Sequence, residues 1–241
     1  MQVLITRQIE QSEKFSLILK KNNIKNIVFP LIAIKNIHLN VTNKKNLDQA
    51  DIIIFTSQNS VYSLLKEVNI NSIKSKKIIA IGKSTETVLN KMKIKVDIVP
   101  ENNYTSESLL DEIEKHRIID KKIIIIKGIG GRSLLHKKLS KNNFLYDDVN
   151  IYERIVPITF SSLSQNTLNS ITHICITSVE ILCNLEYICQ ILKLEISKNM
   201  VFVAGNDRIA KEIVKKFFNY KILISKDPTN DEMLKTLLSS T

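Results

Sequence analysis

Two hydropathy patterns alternate along the chain. Short runs of aliphatic and β-branched residues read as strands, and stretches in which apolar positions return every three or four residues read as helices. Val3–Thr6 predicts a first strand, and Glu10–Lys21, with Phe15, Ile18 and Leu19 on one face, a first helix. Asn26–Phe29 predicts the next strand, closed by Pro30. Strands are then expected at Asp51–Thr56, Lys77–Ile81, Lys95–Val99 and Lys122–Lys127, with helices at Asn59–Glu67, Ser84–Met92, Thr105–His116 and Arg132–Lys141. Asp148–Tyr152 reads as extended. The last third predicts helix Ser162–Asn169, strand His173–Thr177, helix Val179–Gln190, strand Met200–Ala204, helix Arg208–Phe218, strand Lys221–Ile224 and helix Asp231–Leu238. Thr229 with Glu232 three residues on is a capping-box signature for the last helix.

Asp51–Thr56 and Lys122–Lys127 are apolar almost throughout instead of alternating, as strands covered on both faces are. Alternation of such strands with helices argues an α/β class with parallel sheets. The chain also repeats itself. Thr56-Ser57 and Thr177-Ser178 end similar apolar runs 121 residues apart. Gly82 and Gly205 end another pair 123 residues apart, and Val3–Thr6 matches Ile123–Ile126 at an offset of 120. That period is too long for a solenoid and fits two similar domains. Resemblance common to all α/β units is the competing explanation.

Length and composition set outer bounds. With 241 residues, one or two domains are expected. No apolar run approaches the roughly 20 residues of a membrane span. The opening residues lack a basic stretch ahead of a long apolar one, so no secretory signal is expected. Cys175, Cys183 and Cys189 are an odd, clustered set without a CxxC, which suits buried, reduced thiols in the cytoplasm. The formal net charge of +11 raises the question of nucleic acid. Yet Ile, Lys and Asn number 40, 30 and 23, and all three have codons built from A and T alone. Base composition therefore accounts for much of the lysine excess. The lysines are spread along the chain and aromatics are only 6%, so no nucleic-acid partner is expected.

Small and polar residues collect where strands end and helices begin: Thr6-Arg7, Thr56-Ser57, Gly82–Thr85, residues 128–133, Thr177-Ser178 and Gly205-Asn206. In open α/β sheets, ligands bind beyond the carboxyl ends of strands. Helix N-termini there offer unpaired N–H groups and a partial positive charge. Taken singly, each Ser or Thr reads as a helix cap. Taken together, the turns read as an anion-receiving cleft divided between two domains. Nucleotide fingerprints are absent, since Gly128-Ile129-Gly130-Gly131-Arg132-Ser133 lacks the last glycine of GxGxxG and no GxxxxGK[ST] occurs. The four histidines are scattered and no GxSxG elbow exists, so neither a metal site nor a serine nucleophile is expected. Asp147-Asp148 reads as a solvated turn. Tyr152 is either a phenol placed in the cleft as donor or proton carrier, or a packing tyrosine. Arg154 reads either as a bidentate carboxylate partner or as a surface ion pair.

Leu4-Ile5-Thr6-Arg7, Phe29-Pro30-Leu31, Phe55-Thr56-Ser57-Gln58-Asn59-Ser60-Val61, Ala80-Ile81-Gly82-Lys83-Ser84-Thr85, Ser106–Leu110, Lys127–Arg132, Tyr152-Glu153-Arg154 and Ile176-Thr177-Ser178, in that order and spacing, resemble the uroporphyrinogen-III synthases. The resemblance covers essentially the whole chain. It implies two flavodoxin-like α/β domains with parallel sheets joined by a two-stranded connection. Residues 1–33 with 157–241 would form one domain and 38–151 the other, with 34–37 and 152–156 as connecting strands. The implied reaction closes linear hydroxymethylbilane to uroporphyrinogen III through a spiro intermediate, with inversion of the last ring and loss of water. It needs no cofactor. By the resemblance, Tyr152 is the catalytic residue that assists hydroxyl loss. Arg7, Ser57, Gly82, Thr85, Gly130, Arg132, Ser178 and Gly205 are the substrate-binding positions. A cytoplasmic monomer is implied, with a polycarboxylate substrate and transient contact with the preceding pathway enzyme. Two departures stand out: Asn206-Asp207-Arg208 replaces small hydroxyl residues, and Lys127 stands where arginine is common. The competing function is a non-catalytic two-domain module that binds or senses small anions.

Overall fold

The computed structural model describes residues 1–100, 109, 112, 121–130, 135, 139, 140 and 144–239. Among these the strands are, in chain order, β1 (Gln2–Ile5), β2 (Lys25–Val28), β3 (Ala33–Asn36), β4 (Ile52–Phe55), β5 (Lys77–Ala80), β6 (Ile123–Gly128), β7 (Tyr146–Ile155), β8 (His173–Ile176), β9 (Val201–Ala204) and β10 (Lys221–Ile224). The chain divides into two compact units, one of residues 1–33 and 155–241, the other of residues 34–154. It therefore passes between units twice. No helix among the described residues is long and apolar enough to cross a membrane.

The sheet of the first unit runs β10-β9-β8-β1-β2, and its neighbouring strands are parallel. Numbered within the unit, that is the flavodoxin-like order 2-1-3-4-5, whose switch point lies between the first and third strands, here β1 and β8. One face packs Leu4, Ile174, Ile176 and Phe202 against helices Val179–Leu192 and Asp207–Lys216. The other packs Val3, Ile5, Cys175 and Val203 against Phe15 and Leu19 of helix Ile9–Lys21 and Met233 and Leu237 of helix Asn230–Leu238. Alternate residues of each strand thus enter opposite cores, which explains why the strands carry no polar face.

The sheet of the second unit runs β3-β7-β6-β4-β5, with β4–β5, β4–β6 and β6–β7 parallel. Counted from β4, the order is again 2-1-3-4-5, with β3 in the place of the fifth strand; the switch point lies between β4 and β6. The strands that the sequence repeat pairs, β1 with β6 and β4 with β8, do not hold corresponding places. By position β1 matches β4 and β8 matches β6, so the repeat reflects the shared strand–turn–helix build and not equivalent strands. Ile123–Ile126, the most apolar run, forms the middle strand and is wholly buried. Ile53, Phe55, Ile124 and Ile126 face helices Gln58–Glu67 and Lys83–Lys91, while Ile52, Ile54, Ile123 and Ile125 face a core containing Leu109, Leu135 and Leu139.

The pattern misleads in a few places. Helix Val41–Gln49 was not expected, and among its residues only Leu47 is buried, so it carries no apolar stripe to read. Lys95–Val99 is not a strand. It makes one bridge, Ile98 with Ile79, and the Asp97 carboxylate accepts the Ile78 N–H at 2.8 Å, where a ladder would supply a carbonyl. The segment expected to be helical from Ser162 forms a 3-10 turn, Ile158–Ser162, before helix Gln165–Ser170 capped by Ser164. The capping box expected at Thr229 is half built. Its hydroxyl accepts from the Glu232 amide, while the Glu232 carboxylate pairs with Lys235. The helices expected over 105–116 and 132–141 fall largely outside the described residues. Of their positions, Leu109, Glu112, Leu135, Leu139 and Ser140 are helical.

Candidate functional site

At the carboxyl ends of the strands of the second unit, three neighbouring strands meet through one side chain. Tyr152 lies near the end of β7. The β6–β7 register shifts between Lys127 and Gly128, so Gly128 pairs with Tyr152, and the Ile129 N–H donates to the Tyr152 carbonyl at 2.9 Å. The shift breaks the alternation of β7 and buries Ile151 and Tyr152 in succession. The Tyr152 ring then lies on the backbone of Gly128. A Cβ at Gly128 would sit 2.5 Å from the Cε2 and Cζ atoms of Tyr152, closer than any real contact, so only glycine fits. Crossing the end of β6, the phenol reaches the residue after β4, with Tyr152 Oη 3.0 Å from Ser57 Oγ. Tyr152 is 3% exposed.

Ser57 is itself fixed. It is the N-cap of helix Gln58–Glu67, in extended backbone, and its hydroxyl accepts the Ser60 N–H at 3.1 Å. The Ser57 N–H donates to Ser60 Oγ at 3.2 Å, and Ser60 Oγ donates to the Ser57 carbonyl at 2.6 Å. Beside it, Thr56 Oγ1 donates to the Ile126 carbonyl at 3.1 Å across the switch point. Gly82 caps helix Lys83–Lys91 without a side chain. Thr85 is almost wholly buried and its N–H donates to the Gly82 carbonyl at 2.9 Å, so its hydroxyl is closed off from solvent here. Gly130 turns the chain after β6 at φ +75, with open space where a side chain would point. Arg132 lies outside the described residues.

The first unit repeats the plan with different chemistry. Thr6 Oγ1 donates to the Cys175 carbonyl at 2.5 Å across the β1–β8 switch point, as Thr56 does in the other sheet. Ser178 caps helix Val179–Leu192 and accepts from the Ile181 N–H at 3.1 Å. Its hydroxyl hydrogen is left to donate, and no tyrosine bonds to it among the described residues. Gly205 is buried where a Cβ would stand 2.9 Å from the Pro228 Cβ and 3.3 Å from the Thr177 Cα. The Asn206 side chain caps the next helix by accepting from the Ile209 N–H, and the Asp207 carboxylate lies exposed in its first turn.

Arg7 supplies the charge. Its Nη1 donates to the Asn230 side-chain oxygen at 2.9 Å, and among the described residues it has no carboxylate partner. Burial draws its pKa down, nearby Cys175 opposing, though a guanidinium stays charged at neutral pH. Lys127, which the repeat sets opposite Arg7, is instead paired with Asp148 at 2.9 Å. One unit therefore presents a phenol with its cation neutralised, the other a cation without a counter-charge among the described residues. Arg154 is exposed and Glu153 half-buried.

Sequence reasoning placed Tyr152 and Ser57 apart, and the fold joins them. It missed Gly128 as the seat of the ring, Ser60 as the partner of Ser57, and Asn230 as the partner of Arg7. Serines three apart at a strand-to-helix turn were the readable sign of the second. The other two depend on contacts that no local pattern carries.

A family model described as uroporphyrinogen-III synthase HemD matches residues 13–235. A Methanocaldococcus jannaschii protein provisionally named a uroporphyrinogen-III synthase is 37% identical over 162 residues, which is 65% of this chain and 63% of that protein. A second, from Methanothermobacter thermautotrophicus and named in the same way, is 29% identical over 140 residues, 56% of this chain and 55% of that one. The matched stretch thus spans less than two thirds of either relative. Among solved structures, uroporphyrinogen-III synthetase from Helicobacter pylori aligns over 100% of this chain and 99% of its own, with a TM-score of 0.68 at 15% identity. A mutant uroporphyrinogen III synthase from Thermus thermophilus aligns over 100% and 98%, with a TM-score of 0.59 at 13% identity. The two structures share the fold, and the family model covers nearly the whole chain, which belongs to the uroporphyrinogen-III synthase family.

Proposed function

We propose that this protein closes hydroxymethylbilane to uroporphyrinogen III, with inversion of the last ring and loss of one water. The observation that carries the chemistry is the Tyr152 hydroxyl, 3.0 Å from Ser57 Oγ at the carboxyl ends of the strands and fixed by a ring seated on glycine. The phenol gives its proton to the hydroxyl of the bilane as the C–O bond breaks. Water departs with that proton and leaves a reactive azafulvene in its protonated form. The azafulvene carbon bonds to the substituted α-carbon of the last ring to give the spiro intermediate. The bond from that α-carbon to its original bridging methylene then breaks, and the methylene bonds to the ring's other α-carbon, which inverts the ring. The proton released when the pyrroles are restored returns to the phenolate, so the balance is substrate to product plus water.

Arg7 and the hydroxyl of Ser178 receive carboxylates in this reading. A cation held at a switch point by a neutral amide, without a carboxylate partner among the described residues, suits an anionic ligand. Gly82, Gly130 and Gly205 let the backbone come close to the substrate, and Arg132 is a further cation for it. The working form is a cytoplasmic monomer that meets the bilane-supplying enzyme only transiently. The intermediate closes unaided to the wrong isomer, so the protein's task is mainly to hold the chain in the productive arrangement. The test is to incubate protein with hydroxymethylbilane and separate the type I and type III isomers. Type III is expected. Type I at the rate of buffer alone, with the bilane bound, would point to a binding module instead.

A further inference from the structure

Ser57 has two possible partners for its hydroxyl, a carboxylate of the ligand or the phenol of Tyr152. We infer that Ser57 is a positioning residue for Tyr152 and not a seat for a substrate carboxylate; this rests on Tyr152 acting as the proton donor. Ser57 Oγ already accepts the Ser60 N–H, so one hydrogen and one lone pair remain to it. Tyr152 Oη takes part in one of these at 3.0 Å. The Ser60 hydroxyl is occupied on both sides by the backbone of Ser57, so it does not compete.

The ring is held by Gly128 below and its oxygen by Ser57 at the tip, which sets both the plane and the reach of the phenol. Once the proton has left, the Ser57 hydroxyl is the donor at hand for the phenolate oxygen. That hydrogen bond is stronger to the charged form than to the neutral one, so it favours the transition state over the ground state. Ser178, capped in the same way but without a phenol, is the control that lacks this role.

The two roles separate in kinetics. A positioning role predicts that Ser57→Ala lowers kcat about tenfold, the loss of one hydrogen bond to a charged group, and leaves KM within about twofold. Ser57→Thr, which keeps the hydroxyl, should recover most of kcat. Combined with Tyr152→Phe, Ser57→Ala should cost nothing further, since its effect passes through the missing oxygen. Should Ser57→Ala fail to fold, Ser57→Gly, which costs the helix less at a cap and offers no side-chain donor, carries the same expectation. A raised KM at unchanged kcat, or a full additional loss in the Tyr152→Phe background, would overturn the inference. Wild-type turnover by Tyr152→Phe alone would instead remove the underlying assignment of the phenol.

Discussion

A tyrosine that is 3% exposed yet bonded to a helix cap is held more tightly than a packing residue requires. Tyr152→Phe removes one oxygen and keeps the ring on Gly128, so it should fold normally and lose about a hundredfold in kcat, the low end for general acid catalysis. Steady-state assays should rank Tyr152→Phe below Ser57→Ala and Ser57→Ala below Ser178→Ala. A Ser178→Ala loss equal to that of Tyr152→Phe would break the ranking. The thiols give an independent check. Burial pushes Cys175 up to about 12 and Cys189 up to about 11, whereas Cys183, expected to be buried like the other two, is exposed. Thiol reagents at pH 8 should therefore label Cys183 and spare Cys175 until unfolding. The folded chain keeps protons that the unfolded thiols release above pH 9, their ordinary value here. Stability should thus fall as pH rises from about 9 toward 11, by about 1.4 kcal/mol per pH unit for each buried thiol. Urea titrations of the wild type and Cys175→Ala measure it, and an equal slope in both would contradict the assignment.

At the scale of elements, caps and close approaches set the rim of each sheet. Ser178→Ala removes one accepted amide and should cost about 1 kcal/mol. Gly205→Ala forces a Cβ against Pro228 and the Thr177 backbone, and should cost about 1–3 kcal/mol by overpacking. Urea midpoints check both, and an unchanged midpoint for Gly205→Ala would mean that the Pro228 loop yields freely. Elements were legible where burial on both faces left a continuous apolar run, as in β4, β6 and β8. They were illegible where a helix buries almost nothing, as in Val41–Gln49. A side chain that takes over a ladder bond, as Asp97 does for Ile78, is equally invisible to periodicity. The Thr229 box failed for a related reason. The Asp227 carboxylate takes the Thr229 N–H at 2.8 Å, and Glu232 pairs with Lys235. At the site, the turns could be placed by following strands to their ends. The contact of Tyr152 with Gly128 depends on a register shift between two strands, which no single segment encodes.

At the scale of the whole molecule, one strand order serves both units, and the repeated switch points carry different groups. Thr6 and Thr56 bridge the switch in the same way, whereas among the described residues Arg7 has no counter-charge and Lys127 is paired. With a net charge of +11, attraction for a polycarboxylate should be strong at low salt. Raising ionic strength from about 0.05 to 0.5 M should raise KM severalfold with little change in kcat. Arg7→Lys should steepen KM more than Lys127→Arg. The measurement that reaches the centre of the account is the isomer yield from hydroxymethylbilane, taken side by side for wild type and Tyr152→Phe at equal enzyme. The wild type should give type III, and the phenylalanine variant should let spontaneous closure to type I overtake it. Type I alone from the wild type, or an undiminished type III yield and rate without the phenolic oxygen, would contradict it.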